Sequence, residues 1–276
     1  MTTTLRPGGP LQQGAGGARS RPYEIRVNSR RVGALLIACD TPFGPSVGVI
    51  RDLAVDPPDR GRGRATVAAL AAEEVLRGWG CRRVTASIPT ASPAGLRLAA
   101  ALGYTESGRN MAKELPAGPP ALSGGVEGRP MTPAEYEVWL AEALEGYAAD
   151  WAARGMPPEA ARAKSEADHA RDLPRGLDTP GVSLCTLEAA GVPVGHLWVA
   201  PSRTRQGAYV YDVAVAEPYR GRGHGRDLML LAERRALAGG HRTLGLHVFA
   251  GNTPALRLYE SLGYRPTDIH FAKDLL

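Results

Sequence analysis

Long apolar runs, cysteine and lysine are all scarce in this sequence. The longest apolar run, ALLIAC from Ala34, is far too short to span a membrane, and residues 1–22 lack the apolar segment of a signal peptide. The three cysteines, Cys39, Cys81 and Cys185, have no spacing typical of a disulfide framework or of a zinc site. We therefore expect a cytoplasmic protein, neither membrane-spanning nor disulfide-rich, without a metal.

Arginine and glycine are abundant instead. Only three of the 33 basic residues are lysines, and the chain of 276 residues carries a formal net charge of +5. That charge fits a polyphosphate ligand or a nucleic acid and does not decide between them. With 43% hydrophobic residues, the chain is long enough to fold as one large or two smaller domains.

Glycines and arginines crowd the start of a predicted helix in EPYRGRGHGRDLMLLAERRALAGG, which begins at Glu217. The residues before it, AYVYDVAVAEP, alternate as a strand does, and the apolar residues after it recur at helical spacing. The first N–H groups of a helix have no partner within it, and glycine lets a ligand approach the backbone closely. This strand-to-helix turn therefore predicts a phosphate site.

The chain also contains an internal repeat with an offset of 160 residues. The offset places RDLAVDPPDRGRGRA from Arg51 on YDVAVAEPYRGRGHG from Tyr211, and LRLAAALGY from Leu96 on LRLYESLGY from Leu256. The match continues as MAKEL from Met111 on FAKDL from Phe271. We divide the chain into a flexible N-terminal arm (1–22), a shortened first copy (23–115), a Pro/Gly-rich linker (116–127) and a complete second copy (128–276).

The second copy is predicted to begin with two helices, the first capped by Thr132 with Pro133 at its first position and the second covering 158–173. A hairpin and a strand over 208–215 precede the glycine turn and its helix. A strand, a short helix from Thr253 and a last strand or hairpin follow. The predicted class is α/β, each copy having a mixed, largely antiparallel sheet flanked by helices, and the first copy lacking the N-terminal elements.

Two motifs in these copies resemble the GNAT superfamily of acetyl-CoA-dependent N-acetyltransferases, in a tandem two-domain form. The first motif, Arg/Gln-x-x-Gly-x-Gly/Ala, occurs in both copies, at Arg220, Gly223 and Gly225 and again at Arg60, Gly63 and Ala65. The second occurs complete in the second copy, at Asn252, Ala255, Leu258, Tyr259, Gly263 and Tyr264. The resemblance implies an acyltransferase whose acyl donor is acetyl-CoA.

The resemblance also implies a set of site residues. In the second copy the expected acetyl-CoA-binding residues are Val213, Val215, Arg220, Arg222, Gly223, His224, Gly225, Arg226 and Asn252. In the first copy a second cofactor site would comprise Arg60, Arg62, Gly63, Arg64 and Ala65. The N–H groups of 222–226 would hold the pyrophosphate, and the backbone N–H of Val213 would meet the thioester carbonyl.

Acetyl transfer to an amine also requires a base and an acid. A free alkylamine has a pKa near ~10.4, so a base or a water chain must remove a proton, and we expect Asp212 to serve as that base. Tyr259 would protonate the departing thiolate. Structural roles remain open: Asp212 satisfying nearby backbone or a hydroxyl, Tyr259 as a core aromatic, Asn252 as a helix cap, and the arginine-glycine run as a solvated or RNA-binding loop.

The first copy departs from the pattern where chemistry is expected. It keeps Asp52, but Ala99 replaces Tyr259, Ser92 replaces Asn252, and the two helices expected beside the acceptor have no counterpart. We therefore expect a non-catalytic, structural or regulatory first domain. A non-catalytic acyl-CoA-binding or regulatory role for the whole protein is the alternative function.

The acceptor remains open at this stage. Residues 132–172 contain nine acids against four bases, which hints at a cationic amine or simply at two solvated helix faces. A peptide N-terminus, a polyamine, an aminosugar and an amino-acid-like metabolite all fit. We expect no membrane or nucleic-acid partner, and a homodimer is left open.

Overall fold

The computed structural model describes residues 2–39, 44, 46–153, 156–203 and 205–275, and the chain divides into two units. The first unit contains Met1–Gly108, Arg154–Met156 and Asp268–Leu276. The second unit contains Arg109–Ala153 and Pro157–Thr267. Within the described residues, no helix combines the length and the apolar character needed to cross a membrane.

The first unit is built mainly from the first copy. Its elements are β1 Thr3–Pro7, β2 Gln12–Gln13, β3 Arg19–Val27, β4 Arg30–Ala38, β5 Val47–Val55, α1 Arg64–Gly78, β6 Arg83–Pro89 and α2 Pro93–Ala101. The strands follow the order β1-β3-β4-β5-β6, and only the β5–β6 pair is parallel. In the described part of the chain no α-helix precedes β3, as expected for a copy without the acceptor-side helices.

The segment predicted to be a flexible arm contains a strand of this sheet. β1 pairs antiparallel with β3, from Thr3 opposite Val27 to Pro7 opposite Tyr23. Leu5 packs against the buried residues Ile25 and Val32. The partial burial of Leu5 and the strand pairing together hold residues 3–7 on the sheet. The glycine-rich composition of residues 1–22 did not predict this strand.

The second unit contains the remaining elements. They are β7 Thr105–Glu114, which begins in the first unit, β8 Val126–Pro130, α3 Pro133–Ala153, α4 Pro158–Asp172, β9 Ser183–Ala189, β10 Val192–Pro201, β11 Ala208–Val215, α5 His224–Ala238, β12 Thr243–Phe249, α6 Thr253–Ser261 and β13 Arg265–Asp274, which ends in the first unit. The strand order is β7-β12-β11-β10-β9-β8, and β11 and β12 are parallel. The fold is the α/β architecture predicted from the sequence.

Two apolar layers cover the sheet of the second unit. On one face α5 buries Leu228, Met229 and Leu231 against strand residues such as Leu197 and Leu246. On the other face α3 packs Trp139 against Trp198 and Leu184. The start of α3 is a capping box, because the N–H of Glu135 donates to Thr132 Oγ1 at 3.3 Å and the N–H of Thr132 donates to Glu135 Oε2 at 2.8 Å.

The last strands of the two copies are exchanged between the units. Residues 109–114 of β7 lie in the second unit, where the N–H of Leu115 donates to the Arg242 carbonyl at 2.8 Å. Residues 268–274 of β13 lie in the first unit and pair antiparallel with β6, and the N–H of Leu275 donates to the Arg82 carbonyl at 2.7 Å. Each unit therefore ends with the strand that belongs, by sequence, to the other copy.

The exchanged strands complete the same buried ion pair in each unit. In the second unit Lys113 Nζ lies 2.6 Å from Glu233 Oε1, and that carboxylate also accepts a hydrogen bond from the Tyr264 hydroxyl at 3.3 Å. In the first unit Lys273 Nζ lies 2.7 Å from Glu73 Oε2. The units therefore differ in their boundaries from the repeat copies, which were delimited at 23–115 and 128–276.

The predicted linker is packed where it approaches α5. Leu122 contacts the apolar core beneath that helix, and the N–H of Ser123 donates to Asp227 Oδ1 at 2.9 Å. Asp227 is buried, so this hydrogen bond satisfies a carboxylate oxygen that would otherwise be costly to desolvate. β8, whose first two residues are the last two of the predicted linker, pairs antiparallel with β9.

Candidate active site

A gap between two parallel strands forms the centre of the candidate site. β11 pairs with β12 at Ala208, Tyr209 and Val210, and within the described residues this pairing stops there although both strands continue. On its other side β11 stays paired with β10 as far as Val215, with a bulge opposite Trp198 and Val199. The strands thus splay apart beyond Val210, as predicted for the segment around Val213.

The backbone of Val213 and Val215 faces this gap. The N–H of Ala216, the residue after β11, donates to the Val194 carbonyl at 2.9 Å, so the N–H of Ala214 in β11 also points toward β10. Because hydrogen bonding alternates along an antiparallel pair, the N–H groups of Val213 and Val215 point the other way, into the gap.

The glycine turn lies at the end of β11. Gly221 and Gly223 have φ of 76° and 90°, and Gly223 is the N-cap of α5. A Cβ atom on Gly223 would meet no other atom within 4 Å, so space is open above the first turn of the helix. On Gly225 a Cβ would lie 3.2 Å from Leu258 Cδ2, so this glycine permits the close approach of α6. The turn has the open N-terminus that an anion requires.

The polar side chains of the turn are mostly exposed. Arg220 Nε donates to the Val215 carbonyl at 3.2 Å, and Arg226 Nη2 donates to Ser261 Oγ at 2.7 Å. The guanidinium of Arg222 lies 5.6 Å from the ring centroid of Tyr219. His224 Nδ1 is buried without a hydrogen-bond partner among the described residues. Arg220, Arg222 and Arg226 thus place positive charge near the N-terminus of α5.

Asp212 lies at the gap and accepts two hydrogen bonds on one oxygen. Its Oδ2 accepts from Trp139 Nε1 at 2.8 Å and lies 3.0 Å from His196 Nε2. Burial of Asp212 favours the neutral acid. The hydrogen bond with His196 and the charge of that ring when it is protonated, with smaller contributions from Trp139 and the Val213 N–H, outweigh burial and hold the pKa of Asp212 below its ordinary value. Asp212 is therefore a carboxylate with a weak affinity for protons.

Sequence reasoning missed His196 and Trp139. They lie 16 and 73 residues from Asp212 along the chain, and only the pairing of β10 with β11 and the packing of α3 bring them together. One signal was available: the hairpin segment VGALLIA of the first copy corresponds to VGHLWVA in the second, so Ala34 and Leu36 are replaced by His196 and Trp198. Replacement of small or aliphatic strand residues by a polar and an aromatic one indicates a site.

Tyr259 is buried with its hydroxyl available. Its side chain is 7% exposed, and the hydroxyl makes no hydrogen bond to any described residue. Burial, together with the charge of Asp212, raises the pKa of Tyr259 to about 12. The phenol is therefore protonated throughout the neutral range, as a proton donor must be.

Asn252 caps the helix that carries Tyr259. Its Oδ1 accepts from the N–H of Ala255 at 3.2 Å at the start of α6. In the first copy Ser92 holds the same position at the start of α2 and makes no such bond. The side chain of Asn252 is thus engaged in positioning Tyr259, one of the two roles expected for it.

The first copy has the same strand geometry as the second, but a buried ion pair lies at its glycine turn. β5 and β6 also splay, after Ile50, and Arg60 Nε donates to the Val55 carbonyl at 2.8 Å, as Arg220 does in the second copy. However, Arg64 is buried and ion-paired with the buried Asp59, which also binds Arg30 at 2.8 Å. The side chain of Arg64 is therefore engaged with Asp59, whereas its counterpart in the second copy is His224.

Comparison with known proteins identifies the class. The model of the acetyltransferase (GNAT) family matches residues 12–104 and 141–264, so the chain belongs to that family, with two copies of its domain. The chain is an acyltransferase by this membership. Among the described residues, no group of three or more His, Cys, Asp or Glu side chains is placed to hold a metal ion.

Relatives agree with this assignment. An N-acetyltransferase of Bacillus subtilis (strain 168), YycN, is 36% identical over 150 residues, which are 53% of this chain and 96% of that protein. The mycothiol acetyltransferase of Thermobispora bispora is 34% identical over 184 residues, 62% of this chain and 59% of that protein.

Two solved structures show the same fold across most of the chain. The GCN5-related N-acetyltransferase of Sphaerobacter thermophilus is 19% identical, with a TM-score of 0.60, and the match covers 92% of this chain and 80% of that one. A tandem GNAT protein from the clavulanic acid biosynthesis pathway is 22% identical, with a TM-score of 0.51, and the match covers 94% of this chain and 84% of that one.

Proposed function

We propose that the chain is an acetyl-CoA-dependent N-acetyltransferase that acetylates a primary amine of a small molecule or peptide, and that the chemistry takes place in the second copy. One observation carries the proposal: β11 parts from β12 beyond Val210, Asp212 lies on β11 in this segment, and the open terminus of α5 follows it. The charge of Asp212 contributes to the raised pKa of Tyr259. A long ligand with a phosphate at one end and a reactive carbonyl at the other fits that arrangement.

The binding part of the proposal follows from backbone groups. The N–H groups at 222–226, with the charge of the exposed arginines, would hold the pyrophosphate of acetyl-CoA. The N–H of Val213, which faces the gap, would donate to the thioester carbonyl and stabilise the oxyanion that forms on attack.

The chemical part is direct transfer. The neutral amine nitrogen attacks the thioester carbon, the carbon–sulfur bond breaks, and the thiolate takes a proton from Tyr259 or from water. The acceptor arrives largely as the ammonium ion, whose positive charge Asp212 would stabilise, and it must transfer a proton to a base or to water to become the neutral nucleophile. The acidic residues of α3 and α4 support a cationic amine as the acceptor.

In the first copy we propose that no transfer takes place. Ala99 cannot supply a proton, and the Arg64–Asp59 pair occupies the turn at which a second acetyl-CoA would bind through Arg60, Arg62, Gly63 and Ala65. Binding there would require Arg64 to leave the buried carboxylate of Asp59, which would keep only Arg30 as its charged partner. The alternative for the whole chain is a non-catalytic acyl-CoA-binding protein, and measurements of binding and of acetylation distinguish the two functions.

The test is calorimetric titration of acetyl-CoA into the wild type, Gly223→Asp and Gly223→Ala. Both variants strain a position with φ of 90°, but only the aspartate adds a negative charge beside the phosphates. We expect Gly223→Asp to bind at least ~100-fold more weakly than Gly223→Ala, about 2.7 kcal/mol.

A thiol-release assay with amines of different classes then tests the chemistry. Equal binding by the two variants would remove the phosphate site from the glycine turn. Binding without acetylation of any amine would favour the alternative function, a non-catalytic acyl-CoA-binding protein.

A further inference from the structure

We propose that His196 is the general base that takes the proton of the acceptor amine, and that Asp212 positions it. This inference rests on the function proposed above and changes the role first expected for Asp212. It starts from a contact on neighbouring strands: His196 Nε2 lies 3.0 Å from Asp212 Oδ2, in register positions that place His196 opposite Ala214.

Asp212 is poorly suited to be the base itself. Its Oδ2 already accepts a hydrogen bond from Trp139 Nε1 at 2.8 Å in addition to the contact with His196. These partners favour the ionised carboxylate, so its affinity for a proton is lower than that of an ordinary aspartate, which titrates near ~3.9. A base works best when its pKa approaches the working pH, and imidazole side chains are the group that ordinarily titrates there.

The contact also fixes the orientation of the ring. A carboxylate oxygen can only accept, so Nε2 of neutral His196 carries the proton and Nδ1 carries the lone pair. Within the described residues Nδ1 has no hydrogen-bond partner, and 29% of the side chain is exposed. Nδ1 is therefore the atom that can accept a proton, and the adjacent Asp212 stabilises the imidazolium that results.

Packing holds this pair in place from the helix side. The indole of Trp139, on α3, meets the ring of His196 edge-on, with 6.4 Å between centroids, and is itself 4% exposed. His169, on α4, contacts Trp139 at 6.5 Å and its Nδ1 is bonded to the Ser165 carbonyl, so it is engaged elsewhere. Asp212 is thus the charged side chain that contacts His196 among the described residues.

The location relative to the gap fits proton removal at the acceptor. His196 is opposite Ala214, the residue next to Val213, whose N–H faces the gap. The charge of Asp212 contributes to the raised pKa of Tyr259, so the His196–Asp212 pair and the proposed acid belong to one site. The proton leaves the amine for Nδ1 of His196 as the nitrogen–carbon bond forms, and the thiolate is protonated separately by Tyr259 or water.

The first copy lacks the pair although it retains the carboxylate. Ala34 is opposite Ala54 in β4 and β5, just as His196 is opposite Ala214, and Asp52 is exposed. Carboxylate and strand geometry are therefore common to both copies. The histidine and its tryptophan are present only where Tyr259 is present, which links them to the reaction and not to the fold.

The experiment compares His196→Gln and His196→Ala with the wild type in the thiol-release assay, using the best amine substrate. His241→Gln, a histidine in the loop between α5 and β12 and outside the site, is the matched control. We expect kcat to fall ~10²–10⁴-fold in both His196 variants and not in the control, while acetyl-CoA binding is unchanged. Added imidazole should restore part of the activity of His196→Ala, and the acid limb of the kcat/KM profile should disappear in His196→Gln.

Contrary outcomes are distinguishable. A wild type that binds acetyl-CoA but acetylates no amine would overturn the proposed function and this inference with it. An active wild type with equally active His196 variants would overturn the inference alone. Loss of activity without imidazole rescue, together with an unchanged acid limb in His196→Gln, would give the base to another group and leave His196 a structural role.

Discussion

The two glycine turns of the chain share a backbone and differ in what lies beneath it. Gly63 and Gly223 both cap a helix with positive φ, and an arginine five residues after the strand bonds back to it in each copy. Beneath the first turn, however, Arg64 and Asp59 form a buried ion pair, whereas the second turn has His224 and Tyr219 in those positions. The turn is thus a property of the fold, and an open anion site requires more than the motif.

The same contrast holds at the reaction centre. The bulge between β10 and β11 has its counterpart between β4 and β5, and both copies place an aspartate beside it, Asp212 and Asp52. Only the second copy adds aromatic and proton-carrying side chains around that aspartate. We infer that duplication preserved the scaffold while one copy lost, or never acquired, the side chains that transfer requires.

The largest change in stability is expected at a feature that both units share, the buried lysine–glutamate pair formed by the exchanged strand. Lys113→Met leaves Glu233 without its cation, and Lys273→Met does the same to Glu73. The side chains of these two glutamates are 1% and 5% exposed. Removing one partner of a buried pair costs about 3–5 kcal/mol, and urea unfolding should show a loss of that size in both variants.

Arg83→Met, which breaks the exposed pair with Asp274, is the control and should change the free energy of unfolding by less than about 1 kcal/mol. If either lysine variant were as stable as this control, the exchanged strand would not contribute the stability assigned to its ion pair.

The second prediction concerns the position where the copies differ most. Tyr259→Phe keeps the ring but removes the proton, so kcat should fall ~10²-fold while acetyl-CoA binding is retained. The lower end of the usual range is expected because a thiolate with a pKa near ~8.5 already leaves readily. Ala99→Tyr, the reverse change in the first copy, should create no activity in the Tyr259→Phe background. Lost binding would instead assign Tyr259 a structural role.

The pH dependence of the rate tests the same tyrosine. Its pKa is raised to about 12, mainly by burial, so the acid form is present below that pH and is lost only as the pH rises through it. With Tyr259 as the donor, kcat should not decline on the alkaline side until the pH approaches that value. A decline near the ordinary tyrosine pKa of ~10 that Tyr259→Phe abolishes would contradict the burial effect.

The smallest expected effect is at the start of the two short helices. Asn252→Ala removes a side-chain cap and should lower the free energy of unfolding by about 1 kcal/mol. Ser92→Ala, at the equivalent position, removes no cap bond and should have almost no effect when both variants are unfolded in urea. Equal effects at the two positions would mean that the cap of Asn252 is not a distinguishing feature of the second copy.

The local elements of the chain were predictable, and its long-range contacts were not. Alternation predicted β11 at its observed bounds, 208–215, and glycine spacing predicted the turn before α5. The strand exchange escaped sequence reasoning because MAKEL and FAKDL carry the same pattern, so either strand fits either sheet. The contact of His196 with Asp212 and Trp139 depends on strand register and helix packing, which no local pattern encodes.

Turnover in two matched variants tests whether the second copy alone catalyses acetyl transfer. Gly63→Asp and Gly223→Asp introduce the same carboxylate at the same N-cap geometry, with φ of 70° and 90° and open space around the added Cβ in both. We predict that folded Gly63→Asp retains acetyl transfer and that Gly223→Asp loses it. Loss of transfer in Gly63→Asp with retention in Gly223→Asp would place the active site in the first copy and contradict the account.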